Sequence, residues 1–496
     1  MAYVVALDAG TTGVRAMAVD ESGAIVNLKY REFTQHYPTP GWVEHDLDEI
    51  WDRMRTCIDE LAAELDQAVA AIGITNQRET VAAWDRRTSA PLHTAIVWQD
   101  RRTADVCDRL TADGHLPMVR QTTGLVLDPY FSGTKFAWLI DNGGVPVDEH
   151  LALGTIDTWL IWKLTGGAAH VTEPSNASRT MLFDIRSLSW SPEMCELLGV
   201  PIEALPEVRP TSGRFAETAD TTALGAGVPI SGVAGDQQAA LFGQACFQPG
   251  MTKNTYGTGS FVLMNVGTTC PEPVDGLLTT VAWTLGPDQP ASYAYEGAIF
   301  VTGAAIQWLR DGLDIVSDAA EIGPLASSVS DTGDVYVVPA FAGLGSPWWD
   351  PYARGAILGL TRGTGKAELA RAVVESMAYQ TRDVVDAMAA SSGTALTELR
   401  VDGGASVMDL LCQFQADQLG VTVARPTNQE TTALGAAYLA GLAEGVWESP
   451  AAVNDGWAVD RRFTPAEDRT DADRLHARWL EAVGRSRGWA QGAGGG

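Results

Sequence analysis

The sequence predicts an α/β protein of two similar lobes, and three observations carry that reading. At 496 residues the chain exceeds the roughly 250–300 residues that one hydrophobic core supports, so two lobes of near-equal size are the default. Segments with strand-like and helix-like apolar spacing alternate along both halves. Two stretches, Asp8-Ala-Gly-Thr-Thr-Gly-Val-Arg15 and Thr255-Tyr-Gly-Thr-Gly-Ser260, each put glycines and hydroxyls right after an apolar run, about half the chain apart. That pairing suggests two lobes closing on one phosphate tail.

The elements follow in order. Tyr3 to Leu7 is a short apolar run that reads as a buried strand, and the glycines after it let the next turn aim several backbone N–H groups at an anion. Asp8 sits where that strand should end. A carboxylate beside phosphate groups repels them unless a divalent cation lies between, which makes Asp8 a candidate Mg²⁺ partner, directly or through water. Taken alone, the same stretch also fits an ordinary strand-to-strand turn with a solvated Asp. Asp46 can cap a helix in which Ile50, Met54, Ile58, Leu61 and Leu65 keep helical spacing, and Val69 to Ile74 reads as the next strand. Asn76-Gln-Arg-Glu-Thr80 follows it, so a cation and a carboxylate stand where a sheet usually presents its ligand. Glu79 can accept from hydroxyls and Arg78 can donate to a hydroxyl oxygen, a grip suited to a small polyol; an exposed loop ion pair is the plainer alternative.

Leu151 to Thr155 precedes a helix over 157–164, and Ile230 to Ala234 leads through Gly235-Asp-Gln-Gln238 into a helix expected from Gln237 to Ala245. Asp236 therefore lies at or near a helix N-cap. Capping explains an Asp there, and a carboxylate at a strand-to-helix junction can also take a proton from a nucleophilic alcohol. Phe247-Gln-Pro-Gly250 interrupts the pattern and divides the chain into lobes over 1–246 and 247–496. In the second half Gly303-Ala-Ala-Ile-Gln307 opens a helix whose Gln307 could bond a nucleotide or sit exposed, and Ala367 to Met388 carries a long amphipathic helix. Arg400-Val-Asp-Gly-Gly404 reads as a strand with paired glycines that admit a flat base or ribose, before a helix from about Val407. Trp98 and Phe261 could wall a pocket against a carbon skeleton, or simply pack in a core.

Composition narrows the function. With 34 Lys+Arg against 62 Asp+Glu the formal charge is −28, which opposes nonspecific binding to nucleic acid or an anionic membrane. An anionic substrate must be held locally by amides, a metal ion and a few arginines such as Arg15. The cysteines at 57, 107, 195, 246, 270 and 412 show no metal or disulfide spacing. Met1 leads at once into the first strand, and no run of 18 apolar residues follows, so the expectation is a cytoplasmic protein with reduced thiols and no stable membrane insertion. Gln491 to Gly496 reads as a frayed end.

Taken together, Asn76-Gln-Arg-Glu-Thr80, Trp98-Gln-Asp-Arg-Arg102, Asp128-Pro-Tyr-Phe-Ser-Gly-Thr-Lys135, Gly154-Thr-Ile-Asp-Thr-Trp159, Pro174-Ser-Asn-Ala-Ser-Arg179, Gly235-Asp-Gln-Gln238 and Asn254-Thr-Tyr-Gly-Thr-Gly259 resemble, in order, the motifs of the FGGY family of carbohydrate kinases. The resemblance spans nearly the whole chain. It implies two ribonuclease H-like, actin-like ATPase lobes with nucleotide and polyol in the cleft between them. By the same resemblance, glycerol would be phosphorylated at the expense of Mg·ATP to glycerol 3-phosphate, with Asp236 as general base, in glycerol catabolism. Arg78, Glu79, Tyr130, Asp236 and Gln237 would bind the hydroxyls, and Trp98 and Phe261 the carbon face. Thr11, Thr12, Gly13, Arg15, Thr258, Gly303, Gln307 and Gly404 would hold ATP, with Mg²⁺ near Asp8 and Asp236. A homodimer or homotetramer is compatible with it.

Departures limit the carry-over. Ala9 and Gly13 stand where related members usually have Gln and Ser, so backbone must replace a side-chain contact to phosphate, and Met408 stands in place of an Asn near the adenine. The stretch 213–227 lacks the Gly-Thr-Arg and the His that would suggest regulation by fructose bisphosphate or by phosphorylation. Competing readings are a kinase for a pentulose or another polyol, an ATP-driven conformational protein without a polyol grip, and a silent nucleotide sensor.

Overall fold

The structure, a computed structural model, describes residues 2–491, and the Gly-rich end from 492 lies outside the described residues. In the first lobe the chain forms β1 (Tyr3–Ala9), β2 (Gly13–Val19), β3 (Ile25–Glu32), α1 (Leu47–Ala62), β4 (Val69–Asn76), α2 (Ile156–Leu164), β5 (Ser212–Glu217), β6 (Pro229–Gly235) and α3 (Asp236–Gly243). The strands order as β5-β6-β4-β1-β2-β3. β1, β4 and β6 run parallel, while β2, β3 and β5 are antiparallel to their neighbours. Every residue of β1 is buried, as an apolar run flanked by strands on both sides requires.

α1 covers one face of this sheet. Asp46 caps it, its side chain accepting from the amides of Asp48 and Glu49, and Ile50, Met54, Cys57, Ile58 and Leu61 pack with α2 against Val5, Leu7, Val14 and Ile72. The helix ends at Ala62, short of Leu65, which packs on the cluster from the following loop. Three short strands between β4 and β5 (Val81–Asp85, Ala95–Ile96, Leu151–Thr155) join Glu44–His45, which precedes α1, in a smaller four-stranded sheet, and with an apolar cluster around Phe131, Phe136 and Leu153 it builds a platform beside the main sheet.

The second lobe repeats the design. It comprises β7 (Met251–Tyr256), β8 (Ser260–Gly267), β9 (Leu278–Trp283), β10 (Ser292–Ile299), α4 (Gly303–Asp311), α5 (Lys366–Ser392), β11 (Glu398–Asp402), α6 (Asp409–Leu419), β12 (Val423–Pro426), α7 (Thr431–Ala443) and β13 (Val459–Phe463). The order is β9-β10-β8-β7-β11-β12-β13, with β7, β11 and β12 parallel. β7 and β8 match the β1–β2 hairpin, and β11 and β12 match β4 and β6. The helix expected from about Val407 begins later: Gly404–Val407 make a 3₁₀ turn, Met408 is extended, and α6 starts at Asp409.

The two lobes are joined by α3 and α7. Although α7 follows β12, it packs against α3, β4, β6 and β1 of the first lobe. It is apolar nearly all round and buried from Ala433 to Gly441, as a helix enclosed on all sides must be. Backbones meet closely there: a Cβ on Gly73 would strike Ala436 O, and one on Gly435 would strike Ala239 O. One apolar cluster accordingly spans both sheets, from Val4, Ala6 and Met17 to Leu263, Ala282 and Ala294. Among the described residues no helix is long and apolar enough to cross a membrane, and the six cysteines are free, five of them buried.

Candidate functional site

The two hairpin turns face the cleft and share one logic. In the β1–β2 turn the carbonyls are taken: Gly10 O accepts from Gln77 Nε2 (3.0 Å) and Thr11 O from Gln35 Nε2 (2.9 Å), while Thr12 O accepts from Phe33 N (3.3 Å). In the β7–β8 turn Gly257 O accepts from Gly303 N, and Thr258 O from Thr302 N and Ala304 N, each at 3.0 Å. The N–H groups of Thr11, Thr12 and Thr258 donate to no protein acceptor among the described residues. Turns with bound carbonyls and free amides present positive potential to an anion. Gly303 is required by space, since a Cβ there would stand 2.5 Å from Gly257 O. Gly404 has open space around its Cβ position, and Gln307 is exposed on α4, both beside the second turn's lobe. Met408 sits in that lobe's apolar cluster with Ile322.

Asp8 lies one residue before the end of β1 and is 7% exposed. Burial pushes its carboxyl up to about 6; Arg15 opposes this, while Asp236 and Glu430 add to it. Arg15 Nε is 3.8 Å from Asp8 Oδ2 and its Nη1 is paired with Glu430, the residue before α7. Among the described residues no cluster of three or more His, Cys, Asp or Glu is arranged to hold a metal. Two carboxylates without a third protein ligand suit Mg²⁺, which keeps water and takes substrate phosphate oxygens.

Asp236 is the first residue of α3, with Gly235 as the N-cap. Its Oδ1 accepts from Gln237 N (2.8 Å) and faces Arg78 Nε (3.1 Å). Among the described residues no protein donor meets Oδ2, and the side chain is 30% exposed. Behind it lies a buried network. Arg78 donates to Glu296 through Nη1 (2.5 Å) and Nη2 (3.1 Å), and also to Gln238 Oε1 (3.2 Å) and Tyr130 Oη (3.3 Å). Arg179 donates to Glu79 Oε1 (2.6 Å) and Glu296 Oε1 (2.9 Å). Burial pushes Glu296 up, but Arg179 and Arg78 outweigh it and hold the carboxyl at about 2. A solvated ion pair is thereby excluded for Arg78 and Glu79, each 2% exposed. With Nη1 and Nη2 engaged, Arg78 holds Asp236 and Glu79 through the charge at Nε, 3.1 Å from Asp236 Oδ1 and 3.7 Å from Glu79 Oε1. Among the described residues Glu79 Oε2 has no protein partner, and the residue holds a left-handed backbone (φ 62°), the kind of strain that functional sites retain.

Aromatic rings close the remaining side. Trp98 lies edge-on to Tyr130 (5.6 Å between centroids) and to Phe261 (6.4 Å), and its Nε1 donates to Thr11 Oγ1 (3.0 Å), tying wall to turn. Lys253 reaches across from β7: it donates to Gln237 Oε1 and to Thr255 Oγ1 (3.0 Å), and burial lowers its ammonium to about 8. The structure thus brings Arg78, Glu79, Trp98, Tyr130, Asp236, Gln237 and Phe261 together beside Asp8, with Thr11, Thr12, Gly13 and Arg15 on one rim and Thr258 and Gly303 on the other. Sequence reading missed Arg179, Lys253, Glu296 and Glu430. Arg179 and Lys253 stand inside or beside the quoted motifs, which was the available signal; Glu296 in β10 and Glu430 carried none.

Comparison with known proteins agrees with this geometry. The N-terminal domain of the FGGY family of carbohydrate kinases matches residues 3–243 and the C-terminal domain of that family residues 252–444. The chain is 57% identical to the glycerol kinase of Carboxydothermus hydrogenoformans, over 98% of either chain. It is 56% identical to that of Symbiobacterium thermophilum, over 98% of this chain and 99% of the other. The crystal structure of Plasmodium falciparum glycerol kinase with ADP superposes with a TM-score of 0.93 at 33% identity, covering 98% of both chains.

Proposed function

From the premise that the chain belongs to the FGGY family of carbohydrate kinases, we infer that it catalyses ATP-dependent phosphorylation of glycerol, releasing glycerol 3-phosphate and ADP. The observation that carries the residue-level reading is Asp236, anchored through Oδ1 by Arg78 and the Gln237 amide, with Oδ2 free. In this reading a terminal hydroxyl of glycerol donates to Asp236 Oδ2 as its oxygen attacks the γ-phosphorus, and ADP leaves with the cleaved bond's electrons. Glu79 Oε2, the Tyr130 hydroxyl and Gln237 receive the other hydroxyls, while Trp98 and Phe261 cover the carbons and exclude water.

The nucleotide's phosphates lie against the amides of Thr11, Thr12 and Thr258 and the Arg15 guanidinium, with Gly13 at the rim. Gly303, Gln307 and Gly404 flank the nucleoside. Mg²⁺, held by Asp8 and Asp236, would offset the phosphates' charge when bound. Positioning carries most of the rate, because phosphoryl transfer leaves the protein little covalent work. Cytoplasmic location and Mg²⁺ dependence are parts of the same proposal.

A coupled ADP-release assay with Mg·ATP, comparing glycerol with xylulose, ribulose, erythritol and no acceptor, tests the substrate. Asp236→Asn tests the base: kcat falls about 10²- to 10⁴-fold while the KM for ATP stays near that of the parent. Near-normal turnover in that variant would remove Asp236 from the role.

A further inference from the structure

One exposed side chain at the cleft rim remains outside the machinery described so far. Tyr30 lies on β3, paired in register with Arg15 of β2, as Glu32 is with Gly13. Asp8 pairs with Arg15 from the other side, so side-chain alternation puts Asp8, Gly13, Arg15 and Tyr30 on one sheet face. That face is the one turned toward the second lobe, because Val4, Ala6 and Met17 on it join the apolar cluster shared with Leu263 and Ala294.

Gly13 has no left-handed backbone to justify a glycine; what it lacks is room. A Cβ there would stand 2.6 Å from both Cε2 and Oη of Tyr30 and 2.7 Å from the Arg31 carbonyl oxygen. The phenol therefore occupies the place a side chain at 13 would take, against the turn whose Thr11 and Thr12 amides are free. Tyr30 is 38% exposed and its hydroxyl has no protein partner among the described residues. The Arg15 guanidinium lies 5.7 Å from the ring centroid, within the range of a cation–π contact, while Glu430 and Asp8 hold it from the other sides.

We propose that Tyr30 is a nucleotide-binding residue: its hydroxyl donates to the phosphate tail where residue 13 offers no side chain, and its ring fixes the Arg15 guanidinium toward the same phosphates. The inference rests on the reading of Arg15 and the first turn as the phosphate site. Steady-state kinetics at saturating glycerol, with Mg·ATP varied, test it on Tyr30→Phe, Tyr30→Leu and Arg15→Ala. Tyr30→Phe keeps the ring and raises the KM for ATP about threefold to tenfold, with kcat within about twofold and the KM for glycerol unchanged. Tyr30→Leu raises it further. If Arg15→Ala raises the KM for ATP while both Tyr30 variants match the parent, Tyr30 only fills space and the proposal fails. Should Arg15→Ala also leave that KM unchanged, the phosphate site itself is misplaced, and this inference goes with it.

Discussion

His45 shows how single side chains shape the site without touching a ligand. Its Nε2 donates to Gln35 Oε1 (2.7 Å) and its Nδ1 faces Gln77 Nε2 (3.4 Å), the two amides that hold the Thr11 and Gly10 carbonyls. Only the neutral ring fits between a carbonyl oxygen and an N–H, and burial, with His36 nearby, lowers its pKa to about 3. A folded pKa below the unfolded value of about 6.5 means that this group's stability is complete above pH 6.5 and is lost as pH falls toward 3. By pH 5 the loss is about 2 kcal/mol. Burial raises Asp8 to about 6 and Glu173 to about 7, so both act in the opposite sense. The measurement is thus a comparison: between pH 7.5 and 5, denaturant unfolding of the parent loses about 2 kcal/mol relative to His45→Gln, and parallel pH curves would refute the assignment. None of this was legible in sequence, because Gln35, His45 and Gln77 meet only through the fold. Glu296 is the same case: it lies 218 residues from Arg78, in a strand whose local pattern announces nothing but burial.

At the scale of elements, the strand-turn pairs decide where ligands sit. The start of α4 is pinned to the second turn through Gly303 N, Thr302 N and Ala304 N, and a methyl group on Gly303 would stand 2.5 Å from Gly257 O. Gly303→Ala therefore lifts the helix start off the turn, raising the KM for ATP about tenfold, the effect of a lost charge-assisted hydrogen bond, and leaving the KM for glycerol unchanged. Equal increases in both would show a general disruption instead. These elements were readable because their signals are local: apolar runs before Asp8, Asn76 and Asp236, an Asp cap before α1, glycines at the turns. Boundaries shifted by a residue or two, as at Asp236, which begins α3 rather than capping it, and at Met408, where the 3₁₀ turn over 404–407 delays α6. The path of α7 was not readable. A helix apolar on all sides says that it is enclosed, not by which lobe.

Over the whole molecule, the site exists only where the halves meet: Arg78 pairs with Glu296, Arg15 with Glu430, and Lys253 with Gln237. The apolar cluster shared by both sheets makes the lobes one energetic unit, so calorimetry should record a single unfolding transition. Two resolved transitions would mean that the shared cluster contributes little. The placement of α7 also sets an order of events in the cell. The first lobe leaves the ribosome with one sheet face bare, since the helix that covers it ends at Ala443. At about 5–20 residues per second, the interval from the end of α3 at Gly243 to that point lasts roughly 10 to 40 s. The half made first is thus completed almost last, and for that interval its uncovered apolar face is open to other chains.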